Sequence, residues 1–323
     1  MALVYCGIDE AGYGPMLGPL CVGFAAFRVE GWAEGEPAPD LWTALSAGVC
    51  REPGDKRGRV AVADSKRLKL SNQSKTRHPL THLERGVLAF AGVAGDAPGD
   101  DAALFAALGT RLDDCPWYRG DAAPLPVSCS AESLAFARNA VALACGAGAA
   151  EPIALACIAV GEGEFNEEIR RGGSKAGVTA SVFGRYLRRV VDRWADGPDS
   201  VRVVCDRHGG RRSYAGMIRA AAPGRAVETL EESERCSRYL VGGERLVVQF
   251  RPEAEDAHLP VALASMTAKF VRELAMARFN RYWCARVPEL KPTAGYVQDA
   301  RRWLGDLNGV LSESERESLV RMA

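Results

Sequence analysis

The sequence reads as an α/β protein, and three observations carry that reading. Near-continuous apolar runs at residues 2–8, 18–29 and 201–206 have the length and composition of strands covered on both faces. Between them lie segments of helical period: over 181–195, Leu187, Val190, Val191 and Trp194 share one face, while Arg185, Arg188, Arg189 and Arg193 fall mostly elsewhere. Glycine and proline follow the strands closely, as in Gly12, Gly14 and Pro15 after the first and Gly209 and Gly210 after "VRVVCD", so the chain turns where the apolar runs stop.

The remaining elements follow in order. An Ala-rich helix is expected over 131–145 and a strand over 152–160, "PIALACIAV". A strand at 245–250, "RLVVQF", precedes a helix from about 260 to 283. Ser312 with Glu315 three residues on is a capping-box start for a last helix. Residues 31–60 and 92–128 are rich in Gly, Pro, Asp and Ala with weak periodicity and read as insertions or surface loops.

The totals bound the function. At 323 residues the chain can bury a sizeable core. Lys plus Arg and Asp plus Glu are 41 each, so there is no global basic field, and any polyanion site must be a local patch. The best such patch is Lys66 with Arg67, Lys69, Lys75 and Arg77. Ten scattered cysteines without a Cys-x-x-Cys pair read as reduced thiols of a cytoplasmic protein. No apolar run approaches the roughly 18 residues of a membrane span, so no membrane partner is expected.

Four acids stand at ends or faces of these elements: Asp9 and Glu10 after the first run, Asp206 after a later one, and Glu273 in the 260–283 helix. Carboxylates are seldom left unpaired beside a core, because desolvating a charge is costly, so they call for a cation. Oxygen ligands without a Cys/His cluster favour Mg²⁺ or Mn²⁺ over zinc. Strict alternation points Asp9 and Glu10 to opposite faces, so both reach one site only if the strand ends or bulges between them. Each acid alone has an ordinary structural reading, as a turn residue or, for Glu273 four residues after Lys269, as half of an ion pair.

Taken together the motifs resemble a known family. "GIDEAGYGPMLGPL" (7–20) is similar to the "DEAGRGP" signature of the type 2 ribonuclease H family, ribonucleases HII and HIII. "ADSKRL" (63–68) resembles its "DSKKL", "VRVVCD" its third-acid strand, "LASMTAKFVRE" (263–273) its "AASIIAKVTRD" helix, and "KPTAGY" (291–296) its "HKGY" turn. The resemblance implies an RNase H-like fold: a mixed five-stranded central sheet flanked by helices, here one catalytic domain over 1–323. It would carry family-atypical insertions near 31–60, 72–150 and 210–245 and a helical region over 292–323.

The resemblance further implies that Asp9, Glu10, Asp206 and Glu273 are catalytic and hold a two-ion Mg²⁺ or Mn²⁺ site. Gly12, Tyr13, Gly14, Lys66, Lys269 and Tyr296 would bind substrate, with the Gly-Tyr-Gly turn and Tyr296 at the 2′-hydroxyl. Asp256 and His258 resemble the family's "GDA" approach segment and are read as structural, and His208 as a turn histidine. The implied activity is cleavage of the RNA strand of RNA/DNA hybrids, to 5′-phosphate and 3′-hydroxyl ends. Nucleic acid, including DNA with embedded ribonucleotides, is the implied partner, and no protein partner is legible. Two departures stand out. Tyr13 occupies the place of the family's Arg or Lys, and Glu273 follows the HIII branch in a chain that otherwise lacks HIII's extra N-terminal domain. A different nucleic-acid substrate and a non-catalytic binding protein stay open as alternatives.

Overall fold

A computed structural model describes residues 2–95, 97–112, 114–207, 209–243 and 245–322. A mixed sheet is built from β1 (Leu3–Ala11), β2 (Leu20–Val29), β3 (Ala150–Val160), β4 (Ser200–Asp206), β5 (Val227–Glu232), β6 (Ser237–Val241) and β7 (Leu246–Arg251), in the order β3-β2-β1-β4-β7-β6-β5. β1, β4 and β7 run parallel, and β2 and β3 pair antiparallel on one side. The first five positions form the mixed five-stranded arrangement expected from the motifs. The hairpin β5–β6 extends it to seven strands, so the 210–245 stretch adds to the sheet.

Helices cover both faces, as a sheet apolar on both sides requires. On one face lie α1 (Thr81–Ala94), α2 (Ala131–Ala147) and the long α5 (Leu259–Arg286); on the other, α4 (Lys175–Trp194), following α3 (Glu162–Arg170). α6 (Val297–Asp306) and α7 (Glu313–Leu319) complete the chain, and α7 opens with the Ser312–Glu315 capping box. The 92–128 stretch, expected as loop, contains a helix at Asp101–Leu108, capped by the Asp100 side chain and ended by Gly109 in the left-handed region. Its anchor is Asp101, whose carboxylate meets Arg278 of α5 at 2.6 Å in a buried ion pair. Weak periodicity hid this helix because both its apolar and its charged groups are buried.

α5 crosses the centre of the sheet because β1 and β2 present glycines to it. A Cβ at Gly7 would lie 2.1 Å from the Pro260 carbonyl carbon, and one at Gly23 2.0 Å from the Ala264 oxygen. Backbone-to-backbone approach of this kind brings α5 down onto the strand that carries the acids. All ten cysteines are free, and among the described residues no helix is long and apolar enough to cross a membrane.

α5 starts at His258, buried at 8% exposure. Its Nε2 accepts from Arg251 Nη1 at 3.2 Å, which leaves the proton on Nδ1, facing the Tyr5 hydroxyl. Burial and the charges of Arg251 and Arg202 hold the imidazole neutral, lowering its pKa from 6.5 to about 4. The folded state therefore binds fewer protons than the unfolded one between these values. Stability present above pH 6.5 is lost as pH falls toward 4, by about 3 kcal/mol for this shift. Replacing His258 by Gln should flatten the pH dependence of the unfolding free energy in that window, measured by urea titration; equal slopes in the two proteins would refute the assignment.

Candidate active site

The acids meet at the carboxyl end of the parallel strands, where crevices form in open α/β sheets. The β1–β4 ladder ends at Ile8 opposite Cys205, whereas β1 continues, paired to β2, through Asp9, Glu10 and Ala11. No bulge separates the two acids. They reach one cavity because β1 outruns β4, leaving its edge open from both faces of the sheet. Asp206 closes β4 at the same end.

That cavity, of about 250 Å³, is lined by Asp9, Glu10, Asp206 and Glu255, by the turn Ala11–Pro15, and by Ser65, Lys66, Ser265, Lys269 and Tyr296. Glu255, missed by the sequence reading, belongs to a single helical turn, Ala254–Ala257, that precedes α5. Glu273 is not among the lining residues. Its carboxylate sits 2.9 Å from Lys269 Nζ and 3.9 Å from Lys69, one helical turn beyond the cavity wall. Asp256, read as structural, is exposed, and its backbone oxygen accepts from Arg51 Nη1 at 2.6 Å. His208 lies outside the described residues.

Each acid is fixed by its backbone surroundings. Asp9 Oδ1 accepts from Glu10 N at 2.7 Å, and Ser265, whose hydroxyl donates to Ser65 Oγ at 3.0 Å, stands beside it. Asp206 Oδ1 accepts from Ala254 N at 3.2 Å. Glu10 Oε2 and Glu255 Oε2 are buried and have no hydrogen-bond partner. Burial raises all four carboxyls, and neighbouring acids add to it for three: Asp9 goes well above the usual range with Glu10 and Asp206 beside it, and Glu10 to about 7 with Asp206 beside it and Lys66 opposing. Asp206 and Glu255 move the same way, burial first. Lys66 responds in kind: burial disfavours its charge, but Asp64, Glu255, Asp9 and Asp206 outweigh that and raise its pKa.

Two of the larger cavities, of about 450 and 590 Å³, lack this signature. The acids of the first, Asp101, Glu273 and Asp299, are each paired with a cation, and the second contains none. Among the described residues no group of three or more acid, histidine or cysteine side chains is arranged so as to hold a metal ion. The four carboxylates instead ring the 250 Å³ space, with two unpartnered oxygens among them. A hard cation with oxygen ligands fits such a donor set.

The expected substrate-binding residues fall around this ring. Gly12 adopts φ +93, and a Cβ there would stand 2.7 Å from Pro19 O, so only glycine suits the position. Tyr13 and Tyr296 are 44% and 49% exposed at the rim. Lys269 is buried, with its ammonium 3.4 Å from the Tyr296 hydroxyl. Of the expected basic patch, Lys66 alone lines the cavity; Arg67 pairs with Glu52, and Lys69 with Asn72.

A carboxyl whose pKa rises on folding destabilises the fold once it ionises. For Glu10 the loss develops as pH rises from 4.5 through about 7. Glu10→Gln should therefore stabilise the metal-free protein by about 3 kcal/mol at pH 8 and by little near pH 4.5. The same variant should show a smaller rise in Tm on adding Mn²⁺. Thermal melts at the two pH values test both, and a destabilised variant at pH 8 would contradict the electrostatic account.

No protein-family model and no curated protein matches the sequence. Solved structures do resemble it. The ribonuclease HII of Archaeoglobus fulgidus, in its complex with PCNA, is 14% identical, with a TM-score of 0.42 over 99% of this chain and 94% of that one. The ribonuclease H2 of Pyrococcus horikoshii OT3 is 16% identical, with a TM-score of 0.44 over 99% and 92%. Bst-RNase HIII in complex with Mn²⁺ is 15% identical, with a TM-score of 0.43 over 99% of this chain and 66% of that longer one. At these identities and scores the chemistry of the cavity has to come from its own residues. Along nearly its whole length, the chain is similar to ribonucleases HII and HIII, the family its motifs resemble.

Proposed function

We propose that the protein is a divalent-metal-dependent endonuclease that hydrolyses the RNA strand of RNA/DNA hybrids, leaving 5′-phosphate and 3′-hydroxyl ends. The observation that carries the reading is the ring of Asp9, Glu10, Asp206 and Glu255 around one cavity, with buried carboxylate oxygens that have no partner within the protein. Such an excess of buried negative charge would repel a phosphodiester, so it suits the task only when cations stand between.

Bound Mg²⁺ or Mn²⁺ would lower the pKa of the attacking water and offset charge on the phosphate and the departing 3′-oxygen. Asp9, Glu10, Asp206 and Glu255 are the residues that would hold it. Lys66 and Lys269 flank them and can screen the phosphate, Lys66 from an exposed position and Lys269 from a buried one. Glu273 then acts on Lys269, orienting its ammonium through the 2.9 Å pair. Gly12 and Gly14 let backbone approach a sugar closely, and the Tyr296 hydroxyl can serve the 2′-hydroxyl that separates RNA from DNA.

Tyr13 brings a phenol where a cation would grip the backbone phosphate. Its exposed ring can stack on a base or sugar. This favours continuous hybrid over a single ribonucleotide in duplex DNA.

The test is cleavage of labelled hybrid, duplex DNA with one ribonucleotide, and single-stranded DNA, each with Mg²⁺, Mn²⁺ or chelator. Hybrid should be cut and chelator should stop it. Asp9→Asn and Glu255→Gln should each lower kcat by roughly 10³-fold, and Glu273→Gln by less than about 10-fold. A Glu273→Gln loss equal to that of Asp9→Asn would return Glu273 to the ligand set. Cutting of DNA alone would point to another substrate, and tight binding without any cutting would leave a non-catalytic protein. In the same assay, Tyr13→Arg should shift cleavage toward the single-ribonucleotide duplex by about tenfold relative to hybrid; an unchanged ratio would remove Tyr13 from substrate choice.

A further inference from the structure

The turn after β1 is gripped from behind by distant parts of the chain. Met16 N and Leu17 N donate to Gly295 O at 2.9 and 3.1 Å, and Gly18 N donates to Glu162 Oε1 at 3.0 Å. Arg272 Nη2 bridges Leu17 O and Ala294 O at 3.2 and 3.1 Å. The remaining grip comes from residues 320–322. Arg321 Nη2 donates to Gly12 O at 2.6 Å and also to Pro15 O, and its backbone N donates to Met16 O at 2.9 Å. Asn166, itself buried, locks this segment: its Nδ2 donates to Val320 O at 2.8 Å and its Oδ1 accepts from Met322 N at 2.7 Å.

Arg321 is an expensive way to hold a loop. It is 3% exposed and lies over the Phe165 ring, and its Nε and Nη1 have no partner. Glu162, a nearby buried acid, is already taken by Gly18 N and the Tyr118 hydroxyl. An apolar side chain of similar volume would often serve packing as well or better. What such a side chain could not do is turn the Gly12 carbonyl inward. In a trans peptide the carbonyl and the following N–H point in opposite directions. A Gly12 carbonyl drawn to Arg321 therefore turns the Tyr13 N–H away from Arg321, and both Gly12 and Tyr13 line the cavity.

We infer that Arg321 is a positioning residue for ribose recognition: by holding the Gly12 and Pro15 carbonyls it presents the Tyr13 N–H to the 2′-hydroxyl of the substrate. The inference rests on the hybrid-nuclease reading of the cavity, and the experiment separates the two. Arg321→Met and Arg321→Lys are compared with the intact protein by kcat and KM on hybrid, by the Tm rise on adding Mn²⁺, and by amide hydrogen exchange over residues 12–18. Arg321→Met should exchange faster in that turn alone, keep the Mn²⁺ response of the four acids, and lose roughly 10- to 100-fold in kcat with little change in KM. Millimolar guanidinium should restore part of the rate, and Arg321→Lys should fall between. Unchanged exchange and kcat would overturn the inference, as would loss of the Mn²⁺ response together with activity. Should Arg321→Met fail to fold, Asn166→Ala, which frees the segment, gives the same readouts. An intact protein that cuts no hybrid would sink the nuclease reading, whereas exchange over 12–18 still decides whether Arg321 sets the turn.

Discussion

Mutual repulsion among four half-buried carboxylates is the constraint around which this molecule is arranged. Two like charges 5 Å apart cost about 3 kcal/mol at an effective dielectric of 20, and four carboxylates line this one cavity. Left to itself the ring would spread or protonate; burial first, and for Asp9, Glu10 and Glu255 the neighbouring acids as well, raises the carboxyl pKa values toward the second response. A rigid frame prevents the first. β1 is held on both edges until its last residues, and Gly7 and Gly23 let α5 lie directly on the backbone behind the acids. On the proposed reading, a cation entering there would relieve the repulsion that remains and so stabilise the fold.

The opposite sign of charge is handled differently. Arg272 and Arg321 are both buried, and each engages main-chain carbonyls of the turn after β1. Buried guanidinium groups are a poor source of stability but a good source of direction, since a rigid fork fixes two acceptors relative to each other. The acids thus gather negative charge at the mouth of the sheet, and these two arginines hold a fixed positive one behind the turn. The cavity lies between the two layers.

Much of this was legible in the sequence because it is local. Asp9, Glu10 and Asp206 could be read from apolar runs that stop abruptly at acids and glycines, and α5 from its length and its Pro260 start. The 92–128 helix escaped because its polar anchor, Asp101, faces the core through a partner 177 residues away. Arg321 escaped for the same reason, its acceptors lying more than 300 residues upstream. Glu255 was hidden differently. It stands in "PEAEDAH", where Glu253, Glu255 and Asp256 are equivalent by composition. Only the backbone decides among them: Glu253 takes φ +52, and the one-turn helix that follows points Glu255 inward while Asp256 stays exposed.

That backbone is itself controlled by another member of the ring. Asp206 accepts from Ala254 N, the residue before Glu255, so the acid that ends β4 also sets the entry of the segment carrying the fourth carboxylate. The two acids therefore form one mechanical unit. Neutralising Asp206 would weaken the hold on Ala254 and, through it, loosen Glu255. Glu273 has no such link. It lies on a regular turn of α5, four residues from Lys269, and its carboxylate is satisfied by that ammonium and by Lys69. A group already neutralised by two lysines has little charge left to offer a cation. On the proposed reading of the cavity, this is the physical reason that the helix motif, although it resembles the family pattern, would supply an orienting acid rather than a ligand.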